Sequence, residues 1–433
     1  MGTTNIKRTP MTARMIRLFW LMTFLGAAFS VVLSTACSGD QHADSDSSGT
    51  NAEPAQAWQS VLEQARGGHV YFNAWGGNDA LNNYLRWVAA ELQQRHDIRL
   101  THVRVASTGD IVSRVLAEKA AGRDDDGSVD LIWLNGENFR TMVEQDLLLP
   151  PWTMDLPNYQ YVDEENKPTV LLDFSTPVEH REMPWGMAQL VFYYDSARLD
   201  GANPPRSMPE LLAYARANPG RVTYPAPPDF HGTTFLKQAL LELSAESNFL
   251  YQPAAQFNVD EKLAVLWEFL DALHQVAWQS GNQFPVDGPR LKQMLNDGDL
   301  HIAFSFNPAE AANAIASGEV PDSVRTYVHT GGTVGNTHFL AIPFNASASA
   351  AAKVTANFLL SAEAQARKAD PAIWGDPTVL ALDKLPAAER ALFDKHQPHP
   401  AMPSPESLSQ VLPEPDASWV RVLETQWQQR YAQ

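Results

Sequence analysis

Residues 69–75, His-Val-Tyr-Phe-Asn-Ala-Trp, followed by Gly76-Gly77, set how the chain is read. Seven mostly apolar, aromatic or β-branched residues closed by a glycine pair predict a short buried strand. Working outward, residues 79–95 (DALNNYLRWVAAELQQR) place Leu81, Tyr84, Leu85, Val88 and Leu92 at helical spacing. Residues 98–105 (IRLTHVRV) alternate as a second strand, and Ser107-Thr108-Gly109-Asp110 then caps a helix over 111–121. Residues 129–134 (VDLIWL) read as a third strand, ending in Asn135-Gly136-Glu137-Asn138 before another helix. Strands alternating with helices predict a parallel α/β sheet. In such open sheets a ligand lies beyond the carboxyl ends of the strands. Three loops, 73–75, 107–109 and 135–138, therefore aim at one crevice.

Further along, residues 183–194 (MPWGMAQLVFYY) read as one long connecting strand, followed by a Pro-rich stretch. Residues 211–216 are helical, 221–225 (RVTYP) look like a strand, and 229–234 open a helix that runs to Leu243. Residues 300–306 (LHIAFSF) form a strand, and Asn307-Pro308 reads as a cap and first position of a helix. A late strand over 337–343 and helices from 350 onward complete the chain. A second α/β unit thus lies between two connecting strands, and no internal repeat signals a solenoid.

The length of 433 residues exceeds one small core, so about two compact lobes are expected. Apolar residues make up 44 %, which excludes wholesale disorder. The net charge is −18, and Lys7, Arg8, Arg14 and Arg17 stand in the first 36 residues without any acid, so the remainder is more acidic still. Such a surface repels phosphate backbones, which excludes nucleic acid as a natural partner. The single cysteine, Cys37, excludes an internal disulfide framework, a cysteine-rich zinc site and an iron–sulfur cluster.

Residues 18–36 are uncharged and end in small residues directly before Cys37. A basic segment, an apolar segment and small residues ahead of a cut site make a secretory signal. Residues 33–37 (LSTAC) resemble a bacterial lipobox, with Ser34 where leucine is commoner. That resemblance implies removal of residues 1–36 and lipidation of Cys37, where several acyl chains give stable anchoring. An uncleaved span is the competing reading, since the uncharged run is nearly long enough to cross a bilayer. Residues 38–57 hold no large apolar residue, so 37–57 reads as the lipidated cysteine and a flexible tether.

The segments VYFNAWGG (70–77), VDLIWLNGENF (129–139), MPWGMAQLVFYY (183–194), PGRVTYPAPPDFHGTTFL (219–236) and THFLAIPFNASASAAAKVTANFLLSAEAQ (337–365) occur in this order. Together they resemble the type II extracellular solute-binding proteins of ABC importers, within a YnjB-like branch. The resemblance covers about residues 68–400. It implies a two-lobed periplasmic-binding-protein-like α/β fold with a hinge and an interlobe cleft. Lobe 1 would take 58–186 and 338–433, and lobe 2 would take 187–337. It also implies a small-molecule ligand, a membrane permease with its ATPase as partners, and a monomer in the cell envelope.

Candidate ligand-binding residues follow from chemistry and position. Trp75, Trp185, Tyr224, Phe230 and Trp374 offer aromatic faces for planar or cationic groups. Trp133, inside a strand, reads as core, and Trp374 also reads as loop packing. Asn73, Asn135, Asn138, Asn307 and Asn336 lie at strand ends or caps, where amides both donate and accept. Asn307 reads equally as a plain helix cap. Glu137 and Glu310 follow strand ends and suit a cationic nitrogen or hydroxyl, or stand as solvated charges. Ser107, Thr108, Gly232 and Asn307 mark helix N-termini whose free N–H groups suit an anion.

The expected function is capture of a small solute between two lobes for import, without catalysis, cofactor or metal. A polar or cationic ligand with a planar part, polyamine-like or thiamine-like, would fit, as would a sugar. Within the binding class the alternative is a ferric-ion binder through Tyr193-Tyr194, although adjacent strand residues point to opposite faces. His396 and His399 make only a weak metal pair. The alternative outside it is an exported envelope hydrolase using His231 with Asp229, or His338 near Asn336. Dinucleotide, Walker A, H-E-x-x-H and G-x-S-x-G motifs are missing. A lipid-anchored structural protein is a third reading, disfavoured by three loops aimed at one crevice.

Overall fold

The computed structural model describes residues 52–432, apart from residues 106, 200–202, 397–398 and 405. The expected signal, Cys37 and the tether as far as residue 51 lie outside the described residues.

The first half runs α1 (Ala52–Ala65), β1 (His69–Trp75), α2 (Asp79–His96), β2 (Arg99–Val105), α3 (Thr108–Ala120), β3 (Leu131–Leu134) and α4 (Glu137–Glu144). A small hairpin, β4 (Leu172–Asp173) and β5 (Thr176–Pro177), precedes β6 (Glu182–Gln189) and β7 (Val191–Asp195). Then come α5 (Met208–Ala217), α6 (Phe230–Leu243), α7 (Val259–His274), α8 (Gly288–Asp297), β8 (Ile302–Ser305), α9 (Glu310–Ala316), β9 (Val324–Tyr327) and β10 (Thr333–Ala341). The chain closes with α10 (Ser349–Leu359), α11 (Ala362–Ala369), α12 (Ala387–Arg390), β11 (Val411–Leu412) and α13 (Ser418–Tyr431).

Two sheets result. In the first, β2, β1 and β3 are parallel neighbours, as strand–helix alternation requires. β10 joins β3 antiparallel, β6 joins β10 antiparallel, and β11 pairs parallel with the start of β10. In the second sheet β7 lies between β8 and β9, antiparallel to both. Residues 183–194, expected as one strand, are two: β6 belongs to the first sheet, β7 to the second, and Leu190 alone joins them. β10 carries the chain back, paired with β6 from Gly335–Gln189 to Ala341–Glu182. This antiparallel pair is the main connection between the lobes.

Each sheet nucleates its own core. Leu81, Tyr84, Leu85, Val88 and Leu92 of α2 are buried, as their spacing predicts, and pack with Phe72, Trp152, Trp185 and Leu340. The second core gathers Phe192, Leu240, Leu266, Leu270 and Phe304.

Four local expectations change. Residues 52–57, read as tether, begin α1, because Trp58, Val61, Leu62 and Ala65 form an apolar stripe at helical spacing against the first core. Residues 221–225 form no strand. Their carbonyls take single bonds, from His301 N–H to Arg221 and from Trp278 N–H to Val222, and the prolines that follow lack donors for a ladder. The helix expected at Asn307-Pro308 starts at Glu310, and the Asn307 side chain instead accepts from Ala309 N–H at 3.0 Å. Finally, residues 338–433, expected in lobe 1, do not stay together. Trp419, Leu423 and Trp427 of α13 pack into the second core, along with Phe249 and Tyr224. Their i, i+4, i+8 spacing makes one apolar stripe, and α13 packs on α6 and α7.

Candidate functional site

The crevice expected from the strand ends exists. A cavity of about 20 Å³ is lined by Trp75 and Gly77 of the first lobe and by Tyr193, His231, Gly288, Ser305 and Glu310 of the second. Trp75 ends β1 and is 36 % exposed; Phe230 opens α6 and is 38 % exposed. Large aromatics left open at a cleft have a use there that core aromatics lack.

Direct bonds cross between the lobes on this side. The Asn78 amide donates to Glu310 Oε2 at 3.3 Å, while Lys292 Nζ lies 2.9 Å from Glu310 Oε1. The Asn313 amide donates to the Trp374 carbonyl at 2.7 Å. Glu310 is thus already bonded to a lysine and an asparagine, so it holds the lobes together rather than standing open to a ligand.

Beside it lies a cluster of charged side chains, assembled from α4, the β4–β5 hairpin, α6, β10, the segment leading into α13 and α13 itself. Lys237, 1 % exposed, donates to Glu414 Oε2 at 2.6 Å and sits 4.4 Å from the Phe174 ring centre and 5.6 Å from that of Phe230. The Asn336 amide donates to Glu414 Oε1 at 3.2 Å, and Thr233 Oγ1 donates to Glu424 at 2.8 Å. Burial pushes the Glu424 carboxyl up to about 7, with Thr233 opposing and Glu137 adding to the rise. Burial also raises Glu414, against the pull of Lys237 and Asn336. Glu137 keeps solvent on one side, but the crowding on the other raises its carboxyl against its own N–H, Lys237 and Arg421. Asp173 is buried, accepts from Gly136 N–H at 2.7 Å, and is held well above the usual carboxylate range by burial. Gly136 has φ +68° and faces the Phe174 ring, so the turn into α4 needs glycine there.

The expected site residues divide accordingly. Trp75 lines the cavity; Glu137, Phe230 and Asn336 belong to the charged cluster, and the Asn138 amide donates to Glu137 at 3.3 Å. Ser107 and Thr108 lie beside them: a Cβ on Gly109 would stand 3.5 Å from Ser107 Oγ and 3.6 Å from Asn138 Oδ1. Asn135 is half-buried at the head of the same turn. Asn73 is buried inside β1 with its amide on the Tyr71 carbonyl. Gly232 lets α6 approach the Pro225 carbonyl, and its N–H is engaged by Asp229 at 3.3 Å.

Three aromatics proposed as ligand walls are core instead. Trp185 is fully buried among Phe72, Trp133 and Trp374, and Trp374 is 4 % exposed in that same cluster. Tyr224 is fully buried, bonded at 2.8 Å to His274 and to the Trp427 indole N–H. Hinge and loop positions in the sequence do not reveal that Trp185 of β6 and the non-strand segments carrying Tyr224 and Trp374 are covered by other elements.

The Tyr193 side chain is buried at the cavity, whereas Tyr194 packs edge-on to Tyr327 at 5.7 Å on the opposite face, so the two phenols do not converge. His399 Nδ1 accepts from Ala401 N–H, and His396 packs on Phe393. His231 lies 3.6 Å from Asp229, and His338 lies 3.2 Å from Asp376. Among the described residues neither imidazole is hydrogen-bonded to a serine or threonine hydroxyl. Glu414, Glu424 and Lys237 were not anticipated, because the segment carrying two of them was read as part of the other lobe.

The sequence profile of bacterial extracellular solute-binding proteins matches residues 87–381. The chain belongs to this family. Escherichia coli (strain K12) protein YnjB is 46 % identical over 381 residues, covering 88 % of this chain and 95 % of that protein. This solute-binding chain also shares its fold with solved structures at low identity. The TpPotD lipoprotein of Treponema pallidum aligns with a TM-score of 0.61 at 14 % identity, over 83 % of this chain and 98 % of that one. The spermidine/putrescine ABC transporter substrate-binding protein PotD of Streptococcus pneumoniae gives 0.58 at 14 %, over 83 % and 99 %. The periplasmic binding protein AfuA of Actinobacillus pleuropneumoniae, with fructose-6-phosphate bound, gives 0.57 at 15 %, over 84 % and 99 %. The fold is therefore the two-lobed one of periplasmic solute-binding proteins, and membership in an extracellular family assigns the chain to the cell envelope.

Proposed function

We propose that this protein is the solute-capturing component of an ABC import system, held at the membrane by a lipid on Cys37. The observation that carries the reading is the cavity lined from both lobes and flanked by the Asn78–Glu310 and Asn313–Trp374 bonds. A space of about 20 Å³ holds roughly one water. A solute therefore enters when the lobes part, and contacts to both lobes supply the free energy of closure. Motion would centre on Leu190, on 328–332 between β9 and β10, and on 413–417 leading into α13. We assign one lobe to α1 through β6 with α10 to α12, and the other to β7 through β9 with α13. Trp75, Glu137, Asn138 and Phe230 are the residues proposed to touch the solute, in a monomer that hands it to a permease with its ATPase. Catalysis is not part of this reading: the family matched is one of binding proteins, and among the described residues neither candidate histidine is hydrogen-bonded to a serine or threonine hydroxyl.

Native mass spectrometry of gently purified protein, compared with the same sample denatured, tests it. A small adduct of defined mass lost on denaturation is expected. A bare chain whose melting temperature no transportable solute shifts would reject it.

A further inference from the structure

The charged cluster beside the cavity is built with too few positive charges. Glu137 lies close enough to raise the proton affinity of Asp173, Glu414 and Glu424, Glu414 raises that of Asp173, and the one buried cation among them, Lys237, is paired to Glu414. Arg421, exposed on α13, adds only a distant pull on Glu137. Two nearly buried groups present unpartnered oxygens here. Asn336, whose amide nitrogen is on Glu414, leaves Oδ1 without a partner, and Asp173, whose Oδ2 takes the Gly136 N–H, leaves Oδ1 without one. Both oxygens are acceptors in want of a donor. The exposed aromatic beside the cluster is Phe230, which already lies near one ammonium, that of Lys237, and keeps over a third of its surface free.

The helix N-termini at the cleft add an independent argument. In an open α/β fold they are natural anion sites. Here each carries its own acid in the first turn or at the cap: Asp110 on α3, Glu137 on α4, Asp229 on α6 and Glu310 on α9. Asp229 accepts from His231 N–H at 2.9 Å and Gly232 N–H at 3.3 Å, so the end of α6 is already neutralised. Glu310 is likewise engaged by Lys292 and Asn78, so the ends of α6 and α9 are occupied and those of α3 and α4 carry carboxylates of their own.

We propose that Glu137, Glu424 and Phe230 form a subsite for a positively charged nitrogen, and that the captured solute is a small organic cation. The proposal rests on the solute-binding reading above and narrows it. Glu137 and Glu424 flank the nitrogen from opposite lobes, so the ligand's charge draws the lobes together. Phe230 supplies a ring face, and Asp173 and Asn336 accept from N–H groups behind it.

The test is calorimetric titration of the full chain, purified from membranes in detergent, with putrescine, spermidine and choline as cationic probes. Maltose is the neutral probe and fructose 6-phosphate the anionic one. At least one cationic probe is expected to bind, with affinity falling about 10- to 100-fold in Glu137→Gln and in Glu424→Gln. Both variants remove negative charge from a crowded site, and circular dichroism melting checks that each is folded. Phe230→Leu is expected to weaken the same probe by about threefold to tenfold. Binding of the neutral or anionic probe with no cation bound would overturn the subsite while leaving the solute-binding reading intact. Cation binding unchanged in both glutamine variants would overturn it likewise. If no probe binds and no adduct is carried by the native protein, the solute-binding reading falls, and this proposal with it.

Discussion

Two buried lysines, one in each lobe, make opposite use of the same ion pair. Lys368, fully buried in the first lobe, bonds the Asp376 carboxylate, the Asp376 carbonyl at 3.0 Å and the Pro377 carbonyl at 2.9 Å. All three ammonium protons have acceptors, and one carboxylate answers one cation. Lys237 has a single hydrogen-bond acceptor among the described residues, Glu414, with aromatic rings on other sides and three further carboxylates nearby. A closed, charge-matched pair fixes a loop. An ion pair with surplus acid and an open aromatic wall marks a place where charge is still to be supplied.

Breaking the closed pair should cost most. Lys368→Met leaves Asp376 buried with only His338 beside it and is expected to lower unfolding free energy by about 3–5 kcal/mol. Urea unfolding measures it, and a loss under 1 kcal/mol would mean the pair is not structural. Lys237→Met should cost less, about 1–3 kcal/mol, because Glu414 already holds protons more tightly than usual and protonation relieves it. Equal losses in the two variants would erase the contrast.

The pH profile sharpens the contrast further. Glu424 titrates near 7 when folded and near its ordinary value when unfolded. Between pH about 4.5 and about 7 the folded state keeps a proton that the unfolded state has released, so its contribution to stability is lost as pH rises. Partial exposure limits the effect to about 1–2 kcal/mol. His274, pulled down to about 4 by burial, acts in the opposite sense and loses stability as pH falls from about 6.5. The difference between wild type and Glu424→Gln isolates the first effect, and coincident pH–stability curves would refute it. The smallest change is expected at the surface. Arg95 pairs with Glu91 and Glu363 at 2.7 Å but is 42 % exposed, so Arg95→Gln should cost about 0–1 kcal/mol. A larger loss in thermal unfolding would show that exposure is a poor guide here.

How much of this was readable beforehand depends on the distance over which each feature acts. The three parallel strands, the face of α2 and the loops at Trp75, Ser107 and Glu137 were legible, since periods of 2 and 3.6 and turn residues are local. The stripe Trp58, Val61, Leu62 and Ala65 is equally local, but the polar run before it masks where the helix begins. The burial of Trp185, Tyr224 and Trp374 is not local: an aromatic beside a glycine or proline looks the same in sequence whether its segment is open or covered.

By itself, the sequence determined the strand–helix alternation of residues 69–144, because those patterns are short-range, and through its resemblance the family and its two-lobed fold. Only the tertiary structure decided which charges meet. Lys237 and Glu414 lie 177 positions apart, and Thr233 and Glu424 lie 191 apart. Their meeting depends on α13 folding back across the second core, a packing outcome that no local period encodes.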